Sequence, residues 1–236
     1  MKFEEPQRVL DSGKTIYSSA RMRERRSRIL SETRDLIAEG SIHEFSMAEL
    51  ADRCGVAKRT LYNAFRNKDG VVIAAINEGY VTFMERTVFH HPGETTEGAI
   101  ERLVRIHTRA IDVKSYFRAI VDIYFSSSVD ADLRSLLHNM AGDRHRLWLG
   151  NLSATGALLA GTDVEKAADR VASLENLIAF DWCHERLTDA EYVASLIADV
   201  LRYVSSLVAP RERVAFDQIV DHIQSESPLH LLGIAG

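Results

Sequence analysis

Residues 46–65 read SMAELADRCGVAKRTLYNAF, and their spacing is that of two short helices joined by a tight turn. Ser46, with Glu49 three positions on, has the capping-box spacing that opens a helix ahead of the apolar pair Leu50 and Ala51. Gly55 follows Cys54 and supplies the left-handed conformation that a sharp helix stop needs. Val56 plugs the corner, and Leu61 with Phe65 anchors a second helix, from about 57 to 65, on a core. That leaves Lys58, Arg59, Thr60, Tyr62 and Asn63 largely outward. A helix of about eight residues is ~12 Å long, short for a support but adequate to set side chains against base edges in a major groove about 12 Å wide. A generic helical corner explains the apolar positions but not so polar an outer face with a tyrosine in it.

Working outward toward the N-terminus, a helix is expected from about Met22 to Glu39, with Ile29, Thr33, Leu36 and Ile37 on one face and Gly40 as its stop. Residues 1–20, with Pro6, Gly13 and several serines, read as a flexible arm. The dense basic cluster Arg21, Arg23, Arg25, Arg26 and Arg28 falls at the start of that helix, and arginine suits phosphate forks. The same run is equally readable as a solvated helix face. Residues 1–70 carry 14 Lys+Arg against 11 Asp+Glu (+3), while residues 71–236 carry 15 against 23 (−8), so the overall −5 hides a basic first third.

Toward the C-terminus the pattern predicts long helices at about 68–89, 95–113, 116–126, 130–160, 163–186 and 189–208, and a short one at 214–224. Thr162 with Glu165, and Thr188 with Glu191, have capping-box spacing, and Pro210 closes the last long helix. Residues from Ser225 on read as a tail. No stretch shows sustained strand alternation, so the fold class is all-α, with about nine or ten helices. Cys54 and Cys183 are too far apart in sequence to suggest a disulfide framework, and neither a secretory leader nor an 18-residue apolar run is present; a cytoplasmic protein without membrane insertion is expected. HExxH, GxSxG and a phosphate-binding glycine loop are missing, and His90-His91 reads as a solvent-facing loop pair. No catalytic residue, metal site or cofactor is assigned.

The chain resembles the TetR family of bacterial transcriptional regulators over about residues 22–72. Arg28-Ile29-Leu30, Gly40, Phe45-Ser46-Met47, Leu50-Ala51, Gly55-Val56, Thr60-Leu61-Tyr62, Phe65 and Lys68 carry the resemblance. Two positions depart from the family pattern. Ala57 stands where Ser or Thr usually caps the reading helix, and Gly70 stands in the first turn of the fourth helix, where an acidic helix former is common; a soft junction is expected there. The resemblance implies a flexible arm (1–20), a helix-turn-helix DNA-binding domain (21–67), a helical effector-binding and dimerisation domain (68–208) and a C-terminal extension (209–236). It places Ser46 and Met47 at a phosphate through backbone N–H groups and the serine hydroxyl. Arg59 becomes the leading base reader, Lys58, Thr60 and Asn63 touch base or backbone, and Tyr62 and Lys68 bind phosphate.

Family members dimerise, which implies double-stranded DNA with an inverted-repeat operator as the target. The interface candidates are the apolar stripes Val171, Leu174, Ile178 and Trp182, and Val193, Leu196, Ile197, Val200, Leu201 and Val204; a face turned to the monomer core is the alternative reading. A cavity for a small amphipathic effector is implied within about 68–160, with Tyr80, Phe83, Met84, His107, Tyr116, Phe117, Tyr124, His138 and Trp148 as lining candidates, each otherwise a packed core residue. The expected function is a sequence-specific repressor released by that effector. The alternative is a ligand-independent architectural or protein-binding factor, which a closed core without a cavity favours.

Overall fold

The computed structural model describes residues 13–40, 45–127 and 129–225, which form ten α-helices. In chain order they are α1 (Gly13–Glu39), α2 (Met47–Cys54), α3 (Lys58–Phe65), α4 (Lys68–Arg86), α5 (Thr96–Asp112), α6 (Lys114–Phe125), α7 (Ala131–Ala154), α8 (Val164–Cys183), α9 (Asp189–Ser205) and α10 (Pro210–Ser225). The one extended pairing among the described residues is an isolated antiparallel bridge between Leu158 and Val208.

Local chemistry sets the helix ends. Ser46 Oγ accepts from Glu49 N at 3.1 Å to start α2, and Gly55 (φ 61°, ψ 39°) ends it in the left-handed conformation. Both halves of the capping box at Thr188 and Glu191 are present at the start of α9. Ala57 gives α3 no side-chain cap.

Four expectations are corrected. First, α1 begins at Gly13 and runs back into the segment read as an arm, whose residues 1–12 lie outside the described residues. Second, α7 ends at Ala154 rather than near 160, because Gly156 (φ 70°) turns the chain and Leu159 N then donates to Leu207 O, and Ala209 N to Ala157 O, both at 2.8 Å. Third, α8 is capped by Asp163, which accepts from Lys166 N, while the Thr162 hydroxyl donates back to Leu159 O and is turned away from that role. Fourth, Pro210 opens α10 instead of closing α9; a proline N lacks only a hydrogen that the first helical residue would not use. The tail from 226 on lies outside the described residues.

The apolar side chains form two cores. One gathers Leu30 and Ile37 of α1, Leu50 of α2, Leu61 of α3, Val72 and Ile76 of α4, Ile123 of α6, and Leu133 and Leu137 of α7, so packing continues across the α3–α4 junction into the larger half. The other is built from α5 to α10 around Trp148, Trp182 and Tyr192; Trp182 stacks on Tyr192 at 4.1 Å, and Trp148 on Phe216 of α10 at 6.3 Å.

That second core absorbs the stripes expected at a dimer interface. Val171, Trp182, Leu196, Ile197, Val200, Leu201 and Val204 are fully buried within their own chain, Ile178 is buried, and Leu174 and Val193 pack partly buried against the same core. The physical reason is α10, longer than the sequence suggested, which lies against α9 while α8 and α5 cover its other sides. What α8 leaves outside is a different residue, Leu177, which is 48% exposed.

Candidate functional site

The two short helices present a polar face. Leu61 and Phe65 hold α3 on the core, while Lys58, Arg59 and Asn63 are exposed, Tyr62 is half exposed and Thr60 is half-buried. The side chains of Lys58, Arg59, Tyr62 and Asn63 make no hydrogen bond or ion pair among the described residues, so their donors stand free. Met47 is buried, which leaves only its backbone N–H for an outside partner. Lys68 has a structural contact of its own. Its ammonium donates to Phe45 O at 2.6 Å and lies 4.5 Å from the Phe45 ring centroid, tying the start of α4 to the residue before the α2 cap, and burial lowers its pKa.

The five clustered arginines divide. Arg26 sits 4.7 Å over the Phe65 ring and Arg28 donates to Cys54 O at 2.9 Å, so these two brace α1 against α3 and α2. Arg21, Arg23 and Arg25 stand exposed on the N-terminal half of α1.

A cavity of about 960 Å³ opens where the two cores meet, within the 300–1,000 Å³ usual for a drug-sized ligand. It brings together Tyr80, Phe83, His107, Tyr116 and Phe117 of the residues singled out from sequence. Met84, Tyr124, His138 and Trp148 lie outside its lining. Tyr124 Oη and His138 Nδ1 bond each other at 3.0 Å, with His138 Nε2 on Asp169, and Trp148 is fully buried with its indole N–H on Thr96 Oγ1. The cavity also reaches beyond 68–160: Arg34, Asp35 and Ala38 of α1 line it, as do Glu175 and Asn176 of α8. Arg34 donates to Ala75 O at 3.1 Å and to Glu78 at 2.9 Å, clamping α1 to α4 from a position in the cavity wall.

The polar pole of the cavity is a buried ionic cluster that sequence reading missed. Glu175 Oε1 accepts from Arg144 Nη2 at 2.7 Å and from His107 Nε2 at 3.0 Å, and Oε2 accepts from His145 Nε2 at 2.7 Å. The Arg144 guanidinium also donates to Tyr80 Oη and Met140 O. Burial alone would raise the Glu175 pKa, but Arg144 and the two imidazoles more than compensate and hold it well below the usual carboxylate range. An ionised carboxylate only accepts, so both His Nε2 atoms carry protons. Burial lowers the pKa of His145, favouring its neutral form. In the neutral tautomer His107 Nδ1 accepts from the Tyr192 hydroxyl at 2.6 Å. The signal that was available is that Glu175 lies four residues after Val171 and three before Ile178, on the buried face of α8, where a carboxylate demands partners.

His90 and His91 are tethered to one residue. Glu101, fully buried, accepts from both backbone N–H groups and from Arg105 Nε, and its oxygens lie 3.0 and 3.1 Å from the two Nδ1 atoms. No grouping of His, Cys, Asp and Glu suited to a metal occurs among the described residues. Burial works to raise the Glu101 pKa, but the hydrogen bonds from His90, His91 and Arg105 outweigh it and bring it to about 2. A native pKa below the unfolded one gives stability that is present above the unfolded value and lost as pH falls through the native one. Acid unfolding of the wild type should therefore include a component between about pH 4.5 and pH 2 that Glu101→Gln removes, as read by circular dichroism; identical acid profiles would exclude it.

Residues 29–75 match the family model described as bacterial regulatory proteins, tetR family. Among solved structures, the chain is similar to a tetR-family transcriptional regulator from Streptomyces coelicolor, with 18% identity over 88% of this chain and 91% of that one and a TM-score of 0.60. It is also similar to NalD, the secondary repressor of the MexAB-OprM multidrug efflux pump in Pseudomonas aeruginosa (18% identity, 80% and 98% covered, TM-score 0.55). A third is a TetR-family transcriptional regulator from Marinobacter aquaeolei VT8 (16% identity, 84% and 98% covered, TM-score 0.52). At such identities the likeness to these structures is one of fold. No curated protein matches the chain.

Proposed function

We propose, from the match of residues 29–75 to the tetR-family model and from the fold they open, that the chain is a regulator of the TetR family: a non-enzymatic, cytoplasmic homodimer that reads an inverted-repeat operator and releases it when a small molecule fills the cavity. The observation that carries this reading is the cavity wall itself. Arg34, which lines the cavity, also clamps α1 of the reader to α4, so an occupant touches the element that sets the reader's orientation. Such an occupant shifts the population away from the DNA-competent arrangement if it fits only the other one. Among the described residues no helix is long and apolar enough to cross a membrane. The open cavity weighs against the ligand-independent architectural reading, which a closed core would favour.

The α3 face supplies the readers. A guanidinium at Arg59 can bind guanine bidentately for ~1–3 kcal/mol of discrimination, whereas Lys68, beside the α2 N-terminus, suits a phosphate. Selection from a random double-stranded DNA pool at about 150 mM salt, where nonspecific attraction is restrained, is expected to enrich an inverted repeat. Arg59→Ala should then lower operator affinity about tenfold or more and leave random-sequence binding nearly intact, while Lys68→Ala weakens both. Equal losses in the two variants would remove Arg59 from the reading role.

For the dimer, the outer face of α8 is the candidate surface, with Leu177 half exposed and Leu174 partly buried beside it. Sedimentation of the Leu177→Glu variant should show monomer at concentrations where the wild type is dimeric, because a carboxylate at the centre of an apolar contact has no partner there. An unchanged dimer would place the interface elsewhere.

A further inference from the structure

The chemistry of the cavity wall narrows what can fill it. Apolar and aromatic side chains make most of the lining, and its one deep ionic feature is closed on itself: Arg144 and Glu175, 2.7 Å apart, cancel in charge. Around the opening the other cations are matched as well, Arg34 by Glu78, Arg109 by Asp112 and Lys114 by Asp189, while the two lining charges without a partner among the described residues, Asp35 and Arg86, are opposite in sign. A ligand anion would bring a second negative charge beside Glu175. A ligand cation would find a carboxylate already accepting three N–H groups and a guanidinium next to it. Either would lose its hydration without gaining a counter-ion.

Neutral hydrogen-bonding capacity, by contrast, is left over. Three of the five Arg144 N–H groups are used, on Tyr80, Met140 and Glu175, leaving two. Tyr116 lines the cavity, and its hydroxyl has no partner among the described residues. Asn176 uses its N–H on Ala172 O, and its side-chain carbonyl has no partner among the described residues.

We propose that the cavity takes an uncharged, ring-bearing apolar molecule carrying a carbonyl or hydroxyl group that Arg144 and Tyr116 receive, and that it discriminates against carboxylates and ammonium ions of the same shape. This rests on the reading of the cavity as the effector site. Three fluorescent probes of one shape test it on the full chain: 9-anthracenemethanol, 9-anthracenecarboxylate and 9-(aminomethyl)anthracene, titrated at pH 7 by fluorescence. The alcohol should bind at least about tenfold more tightly than either ion. Glu175→Gln, which leaves Arg144 unmatched, should raise carboxylate affinity about tenfold and change the alcohol little. Should that variant fail to fold, Tyr116→Phe serves instead and is expected to cost the alcohol about fivefold without moving the ions. Tighter or equal binding of an ion, or no saturable binding of any probe, overturns the proposal. Operator binding by the same preparation keeps the two readings apart: intact operator recognition with no preference for the alcohol sinks only the ligand class, and preferred alcohol binding by a protein that selects no operator sinks only the DNA reading.

Discussion

Glu175→Ala is expected to destabilise the fold by about 3–5 kcal/mol, or about 10 °C in Tm for a chain of this size. The carboxylate is the shared acceptor of Arg144, His107 and His145; both imidazoles are buried and the guanidinium is largely so. Removing it leaves a guanidinium in a low-dielectric site with only the neutral partners Tyr80 and Met140 O, and leaves two imidazole N–H donors without acceptors. The loss comes mainly from stranding Arg144 rather than from the intrinsic strength of the ion pair. The double variant Glu175→Ala, Arg144→Met should accordingly recover much of the loss, because it replaces an orphaned charge with an apolar chain of similar length. Urea denaturation of the three proteins decides the point: a double variant less stable than the single one would mean that the pair itself, and not its desolvation, supplies the energy.

At the α3–α4 junction, Gly70→Ala should cost about 3 kcal/mol, near the upper end for an overpacked site. A Cβ at this position would stand 2.1 Å from the Phe65 carbonyl oxygen, and backbone cannot swing aside as a side chain can. The link between α3 and α4 is only two residues long; Arg66 takes a positive φ of 67° and Asn67 caps α4 by accepting from Gly70 N at 2.8 Å. The expectation of a soft junction is thus reversed: glycine is present because the chain is tight, not to loosen it. Moving α3 away from α4 to admit the methyl group would also tilt the reading face, so operator affinity should fall more than random-sequence affinity. A variant as stable as the wild type, with unchanged operator binding, would exclude the clash.

What the sequence made legible is whatever depends on neighbours along the chain. The Ser46 cap, the Gly55 stop and the outward set on α3 follow from spacing alone. The Thr162 cap was misread because one hydroxyl has two local options, and only the packing at the α7–α8 turn selects donation to Leu159 O. Lys58 and Arg59 were legible as outward, but Arg26 and Arg28 were not separable from Arg21, Arg23 and Arg25, since the Phe65 ring and the Cys54 carbonyl that claim them arrive from other helices. The same applies with more force to the cavity. Tyr116 and Phe117 could be named as aromatic residues on a helix, whereas the meeting of Arg144 with Glu175, 31 positions apart, is a product of how α7 crosses α8. The apolar stripes of α8 and α9 turn mostly into the chain's own core for a related reason: hydrophobic periodicity marks a buried face without saying what buries it, and here α10 and the neighbouring helices do.

The reader does not own its core. Ile123, Leu133 and Leu137, from the end of α6 and the first half of α7, are packed among the side chains of α1 to α4, so the units that open cooperatively do not follow the order of the chain. A sub-global opening that frees α1 to α4 must release that part of α6 and α7 as well, and slow amide exchange in one should be matched in the other. The cavity lies along the fault line between the two units, with Ile76 and Leu137 on one bank and Ala110 and Val121 on the other. A molecule lodged there acts as a rivet between two foldons, and its presence would be felt in the rate at which each half of the protein breathes as much as in any change of shape.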